Sequence, residues 1–358
     1  MARLGLGEAW SCRFANDFDP VKAATYRANF PDAREHFHDG DVWALTPANL
    51  PGTADLAWAS SPCQDFSLAG ARAGLAGGRS SAFFGFWRLV EGLAKEDRAP
   101  RVIVIENVSG LLTSHGGADF TALCQALADQ GYRFGAVEID ASAFTPQSRP
   151  RVFVIATWAP TAGLEGPSPF HSPAVRLAQA ALPEALKAMW VWWRLDAPAR
   201  RNSDLSSLLE PDEAVAWRSA DQTRDLLDLM EPRHRARVDA AMASGVHTAG
   251  AVFRRTRKGV QRAEVRFDGI AGCLRTPRGG SSRQLLLVVE QGGVRSRLLT
   301  GREGARLMGL PDSYQLPATT TAALHVVGDG VAVPVVRHLA REILEPLVAG
   351  PRSAEVAA

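Results

Sequence analysis

Short apolar runs alternate with amphipathic stretches over the first 156 residues. Runs at 12–15, 55–59, 101–105, 136–139 and 152–156 read as buried strands, and helical periodicity occupies 20–29, 82–96 and 118–130. Asp19-Pro20 offers a helix start, with Asp as N-cap and Pro at the first helical position. This alternation predicts an α/β fold, a Rossmann-like and mostly parallel sheet with helices on both faces. Ligands of such sheets gather at the carboxyl ends of the strands. From 157 the texture changes: Pro, Ser and Ala become common, and Trp190, Trp192, Trp193 and Trp217 cluster without the strand–helix rhythm. The expected organisation is a first domain over 1–156, a smaller irregular domain over 157–325, a helical tail over 326–349 that packs back on the first, and a frayed end at 350–358. The tryptophans at 190–193 are expected to pack in a core or interface.

Composition narrows the class without naming an activity. Hydrophobic content of 46% and charged content of 22% in 358 residues are those of a soluble globular protein with ample core. No apolar stretch approaches a membrane span, and the N-terminus lacks a signal-peptide pattern. Cys12, Cys63, Cys124 and Cys273 are scattered with no CxxC spacing, so neither a disulfide framework nor a metal site is expected, and a reducing cytoplasmic setting is the default. Net charge is only +2, but residues 251–310 hold 13 Lys+Arg against 4 Asp+Glu, leaving 27 basic against 34 acidic residues elsewhere. That asymmetry predicts a polyanion-facing surface in one region. The run Phe253-Arg254-Arg255-Thr256-Arg257-Lys258 and the loop from Arg275 through Arg278, Gly279 and Gly280 to Arg283 are its best candidates. Glycines there let backbone amides approach a phosphate, and the arginines add charge.

Three short motifs carry the chemistry. Ser61-Pro62-Cys63-Gln64 follows one apolar run, Glu106-Asn107-Val108 follows Val102-Ile103-Val104-Ile105, and Gln147-Ser148-Arg149-Pro150-Arg151 precedes Val152-Phe153-Val154-Ile155-Ala156. Together they supply a soft nucleophile, a carboxyl group and a pair of guanidiniums, each at the edge of a buried strand. A thiol is a few per cent ionised at neutral pH unless its surroundings help, and nearby arginines would provide that help. Such a set can add a thiolate to carbon-6 of a cytosine, with Glu106 sharing a proton with ring nitrogen 3. Arg149 and Arg151 alternate along one extended stretch, so both are expected to face the site. One would hold the base's carbonyl oxygen, and the other would order the cysteine loop or bind phosphate.

In order and context the three motifs resemble the cytosine-5 DNA methyltransferase family, from about Phe14 to Ile343. The resemblance implies transfer of a methyl group from S-adenosylmethionine to carbon-5 of a cytosine rotated out of double-stranded DNA. It makes Cys63 the nucleophile, Glu106 the residue that engages the base, and Arg149 and Arg151 the motif arginines. Phe14-Ala15-Asn16-Asp17-Phe18-Asp19-Pro20 looks like the family's ribose and adenine site, with Asp17 on the ribose hydroxyls and Phe18 stacked on adenine. Gly40-Asp41-Val42 resembles the turn whose Asp meets the adenine amine. Gly328-Asp329-Gly330-Val331 resembles the motif that closes the cofactor pocket, so Asp41, Val42, Asp329, Val331 and Pro62 join the cofactor side, and Gln64 joins the DNA side. The stretch 297–311 looks like the family's ninth motif, mainly structural. On this reading 157–325 is a target-recognition domain, with the DNA cleft between two lobes. A cognate restriction endonuclease is the expected protein partner, and the chain is expected to act as a bacterial or phage monomer.

The sequence departs from the family pattern at its start. Members open with an apolar strand and a Gly-rich Phe-x-Gly-x-Gly-Gly loop, whereas Met1-Ala2-Arg3-Leu4-Gly5-Leu6-Gly7 reads like the stretch that follows that loop. The first domain is thus expected to be N-terminally incomplete, through a late start or a truncation, and a polypeptide beginning at Met1 to bind S-adenosylmethionine poorly. Asp329 stands where Asn is common, and Cys273 where Thr is frequent. The alternative readings are a tRNA cytosine-5 methyltransferase and a catalytically silent DNA-binding relative.

Overall fold

Residues 1–61, 82–199, 201, 203–257, 259–274, 283–290 and 293–350 are described by the computed structural model. They fall into two compact units, a larger one of Leu6–Asp140, Pro150–Ala197 and Arg337–Ala358, and a smaller one of Met1–Gly5, Ala141–Arg149 and Pro198–Val336.

In the larger unit, β1 (Ala15–Asp17) and β2 (Phe37–Asp39) pair in parallel. Strands β3 (Leu56–Ala59), β4 (Val102–Asn107), β5 (Arg133–Asp140) and β6 (Pro150–Thr157) form a sheet in the order β3-β4-β6-β5. Every side chain of β4 is buried, as a continuous apolar run demands of a strand covered on both faces. The helices Ala82–Ala94 and Ala118–Asp129 supply the cover of one face: Phe83, Trp87, Val90, Phe120, Leu123 and Leu127 join Ile103, Ile105, Val152 and Val154 in one core. Each fully buried side chain of this kind contributes roughly 1.5–3 kcal/mol. Cys124 lies in the same core, and burial pushes its thiol up, so it is packing rather than chemistry. The helix Pro20–Asn29 starts where Asp19-Pro20 predicts, with the Asp19 carboxylate accepting from the Val21 and Lys22 amides at 2.9 and 3.0 Å.

Strand direction was not in the apolar pattern. The β3–β4 pair is parallel, but β6 runs antiparallel to both β4 and β5. The connection between β5 and β6 holds only a short 3-10 turn, Ala141–Ala143, and parallel neighbours need a crossover of about a dozen residues or more. The consequence is functional: the N-terminal end of β6 lies beside the C-terminal end of β4, with Val152 opposite Asn107.

The expected boundary at 156/157 lies elsewhere, because 158–197 stays with the larger unit. The Val191 amide donates to the Phe134 carbonyl at 2.7 Å, the Trp193 indole donates to the Ile155 carbonyl at 3.2 Å, and Trp190 packs on Phe134. A Cβ at Gly135 would strike the Val191 carbonyl, so this close approach requires glycine. The tryptophans at 190 and 193 are accordingly core residues. The tail divides as well: 326–336 belongs to the smaller unit and the rest to the larger, where Arg101 Nη1 donates to the Val348 carbonyl at 3.3 Å.

His171 gives this packing a pH signature. It is buried against Trp192, and its Nε2 meets no hydrogen-bond partner among the described residues. Burial first, and Arg176 second, hold its pKa below 6.5. The unfolded chain therefore takes up this proton before the folded one does. His171 is expected to leave stability flat above pH 6.5 and to erode it as pH falls below that value, by at most about 1.4 kcal/mol per pH unit. Melting temperatures of wild type and His171→Asn between pH 7.5 and 5.5 check this; equal acid slopes for the two would contradict it.

The smaller unit is not irregular. Strands β7 (Thr248–Arg257), β8 (Val260–Arg266), β9 (Leu285–Glu290) and β10 (Gly293–Leu298) form an antiparallel sheet in the order β10-β9-β7-β8. Leu226, Met230 and Val238 pack against Val252, Val265, Leu285 and Leu287 on one face. The stretch resembling the ninth motif is structural here. Arg297 and Glu303, each 1% exposed, pair at 2.5 Å, and Thr300 caps the helix Gly301–Leu307 in a capping box. Among the described residues no helix is long and apolar enough to cross a membrane, and no His, Cys, Asp and Glu cluster has the makings of a metal site.

Candidate active site

The antiparallel return of β6 brings two of the sequence candidates together. Glu106, near the end of β4, is 6% exposed, and its Oε1 lies 3.2 Å from Arg151 Nε, one residue into β6. A carboxylate stripped of water is tolerated when a cation and hydrogen bonds replace the water, and Arg151 is that cation. Arg151 Nη1 donates to the Pro150 carbonyl at 2.8 Å, which fixes the plane of the guanidinium. Its Nη2 makes no hydrogen bond among the described residues.

Asn107 is a residue that the motif reading passed over. It is 3% exposed, its Nδ2 donates to the Ser61 carbonyl at 3.0 Å, and its Oδ1 accepts from the Val108 amide at 2.9 Å. The signal was available, since an amide at the end of a fully buried strand must find partners for both its ends. Here it anchors the chain two residues before Cys63. Cys63 itself, with Pro62 and Gln64, lies outside the described residues.

Arg149 departs from expectation. It lies in the smaller unit, is 2% exposed, and donates to backbone carbonyls. Nη1 reaches the Leu274 carbonyl at 3.2 Å, and Nη2 reaches the Gly328 and Gly330 carbonyls at 2.8 and 2.6 Å. The same-face argument holds only within a strand, and Arg149 precedes the first residue of β6. The structure brings Glu106 and Arg151 together in the larger unit, and Arg149 belongs to the smaller one.

The residues expected around the cofactor's adenosine share the carboxyl ends of β1 and β2. The Gly40 amide donates to the Asp17 carbonyl at 3.1 Å, and Asn16 Nδ2 donates to the His38 and Gly40 carbonyls at 3.0 and 2.8 Å. Asp17 Oδ1 accepts from the Asp19 amide at 2.9 Å, and Asp41 Oδ1 from the Trp43 amide at 3.0 Å. Each carboxylate keeps an oxygen with no hydrogen bond among the described residues. Phe18 is 73% exposed beside them, and Val42 is half-buried in the turn that Asp41 caps. An exposed aromatic face flanked by two carboxylates fits an adenosine: the ring can stack, and the ribose hydroxyls and adenine amine can donate. Asp329 and Val331 belong to the smaller unit, with Val331 buried and Asp329 Oδ2 3.3 Å from His325 Nε2.

Of the expected DNA contacts, Arg254 and Arg255 are exposed on β7. Arg255 also lies 3.5 Å from Glu264 and over the Phe253 ring. Arg283 is half-buried and Nη2 donates to the Leu299 carbonyl at 3.1 Å, so part of its donor set holds the backbone. The Arg257 side chain and Arg275, Arg278, Gly279 and Gly280 lie outside the described residues.

The α/β unit thus holds a buried acid–arginine pair at adjoining strand ends and an amide tether to Ser61. The C-5 cytosine-specific DNA methylase family matches residues 2–345, and the chain belongs to that family; it is a DNA cytosine-5 methyltransferase. The Type II methyltransferase M.SsoII of Shigella sonnei is 24% identical over 348 residues, covering 96% of this chain and 77% of that protein. The Type II methyltransferase M.NlaX of Neisseria lactamica is 26% identical over 353 residues, covering 97% and 94%. Among solved structures, the Dnmt2 methyltransferase of S. pombe has a TM-score of 0.56 at 17% identity, over 94% of this chain and 91% of that one. That likeness shows the shared fold.

Proposed function

We propose that the protein methylates carbon-5 of a cytosine flipped out of a specific double-stranded DNA sequence, through a transient bond between Cys63 and carbon-6. The observation that carries the proposal is the buried Glu106–Arg151 pair at 3.2 Å, in the same unit as the Asn107 tether to Ser61. With the base bound Glu106 carries a proton, and the Cys63 thiolate adds to carbon-6 as that proton passes to ring nitrogen 3, which leaves carbon-5 electron-rich. Arg151 holds Glu106 in place and directs its remaining donor toward the base's carbonyl oxygen. S-adenosylmethionine supplies the methyl group, and Asp17, Phe18 and Asp41 would hold its adenosine. Return of the nitrogen-3 proton to Glu106, loss of the carbon-5 proton to a base and rupture of the carbon-6–sulfur bond release methylcytosine and the thiolate.

Flipping the nucleotide costs a few kcal/mol, which phosphate contacts and counterion release offset. Exposed Arg254 and Arg255 are the described side chains suited to those contacts. Double-stranded DNA is preferred over tRNA because the family is named for DNA methylation and because the basic excess lies in the smaller unit. Methyl incorporation from labelled S-adenosylmethionine into duplex DNA and into tRNA tests this. Label in DNA alone is expected; label in tRNA alone would overturn the substrate, and label in neither would overturn the activity.

A further inference from the structure

The β7–β8 hairpin outruns the sheet that carries it. β7 pairs with β9 only over Thr248–Val252, whereas its pairing with β8 continues outward from Val252 and Val265 to Arg257 and Val260. The distal half, Phe253–Arg257 against Val260–Glu264, is therefore a ribbon with no third strand among the described residues. At its root the Ala263 amide donates to the Leu229 carbonyl at 3.0 Å. Further out, Arg254, Arg255, Thr256, Val260 and Gln261 are all exposed.

Cross-strand partners share a face, and so do residues two apart along one strand. Arg254, Thr256 and Gln261 thus lie on one face, continuing outward from buried Val252 and Ala263. None of the three side chains makes a hydrogen bond or ion pair among the described residues. The opposite face is engaged: Arg255 lies 3.5 Å from Glu264 and over the Phe253 ring, and Arg262 lies 4.0 Å from Glu231. A β-ribbon with its side chains is about 10 Å thick. The major groove of DNA, about 12 Å wide, admits one, and the minor groove, about 6 Å wide, does not. Within that groove an arginine fork can grip O6 and N7 of a guanine, an amide can grip an adenine, and a threonine serves either.

We propose that this ribbon enters the major groove of the substrate duplex and that Arg254, Thr256 and Gln261 read the target sequence there, with Arg254 gripping a guanine. This rests on the reading that the substrate is double-stranded DNA. The ribbon divides two arginines that adjoin in sequence: Arg254 faces the bases, and Arg255, on the engaged face, is left to the phosphates.

Selection from a pool of random-sequence duplexes tests the division, with the bound fraction sequenced for wild type, Arg254→Lys, Gln261→Ala and Arg255→Ala. The wild-type motif should contain a guanine whose preference falls about 10-fold or more in Arg254→Lys. Overall affinity of that variant should stay within a few-fold, because lysine keeps the charge and loses the fork. Gln261→Ala should relax a different position of the motif. Arg255→Ala should instead weaken binding to all sequences alike and reduce the salt slope by about 1. Replacing the guanine by 7-deazaguanine, which lacks the major-groove N7 acceptor, should weaken wild type and leave Arg254→Lys unchanged. No selected motif, a motif without guanine, or one unchanged in both Arg254→Lys and Gln261→Ala overturns the proposal. A selected duplex that wild type binds and does not methylate defeats the proposed function instead, and the motifs of the variants then still decide the role of the ribbon.

Discussion

Replacing Cys63 by serine is expected to reduce methyl transfer at least ~10⁴-fold while leaving DNA affinity within a few-fold of wild type. The size follows from the chemistry of the attacking atom. A thiol reaches its anion near pH 8.5, so a few per cent is thiolate at neutral pH; an alcohol stays protonated and is a hard, poor nucleophile toward carbon-6. DNA affinity should persist because phosphate contacts and counterion release do not involve this side chain. Tritium transfer from the cofactor to duplex DNA, beside a gel-shift titration, reads both quantities. Turnover within about 10-fold of wild type would remove Cys63 from the mechanism.

The second large effect is expected at Glu106. Glu106→Gln keeps the shape and can still accept from Arg151 Nε, now 3.2 Å from Oε1, so the fold should hold. The amide has no proton to deliver to ring nitrogen 3, and loss of a positioned acid costs about 10²–10⁴-fold in rate. The variant should bind DNA and cofactor and turn over slowly. Removing the acid entirely is a different experiment: Glu106→Ala leaves the largely buried Arg151 uncompensated, and breaking such a pair costs about 3–5 kcal/mol of stability. A melting curve for Glu106→Gln that matches wild type, with kcat down by that factor, separates chemistry from folding. Full activity of Glu106→Gln would contradict the assignment.

The sheet of the larger unit was legible because its strands are buried on both faces and so read as unbroken apolar runs, as Val102-Ile103-Val104-Ile105 does. Burial says nothing about direction, and the antiparallel course of β6 was therefore hidden, though it is what joins Arg151 to Glu106. The sheet of the smaller unit was hidden for another reason. β8 carries Gln261, Arg262, Glu264 and Arg266 among buried Ala263 and Val265, so its pattern looks like a solvated charged stretch. Arg149 and Arg151 were indistinguishable in sequence, because the spacing of two that puts them on one face has meaning only inside a strand. Pro150 opens β6, and Arg149 belongs to the segment before it. Asn107 could have been found by asking where a buried amide sends its hydrogen bonds.

The candidate adenosine residues came from the family resemblance and not from the apolar pattern: Asp17, Phe18 and Asp41 stand at the ends of short strands, and of these only Asp17 follows an apolar run. Strand β2 itself, Phe37–Asp39, is too short and too polar to announce itself, and only its pairing with β1 shows why Asp41 stands near Asp17.

The most direct test is covalent capture. The protein is incubated with duplex DNA carrying 5-fluorocytosine at target sites and with S-adenosylmethionine, and the digest is read by mass spectrometry. Fluorine cannot leave as a proton does, so the account predicts a stable adduct between methylated fluorocytosine and the peptide that contains Cys63. No adduct, or one on Cys12 or Cys273, would contradict it.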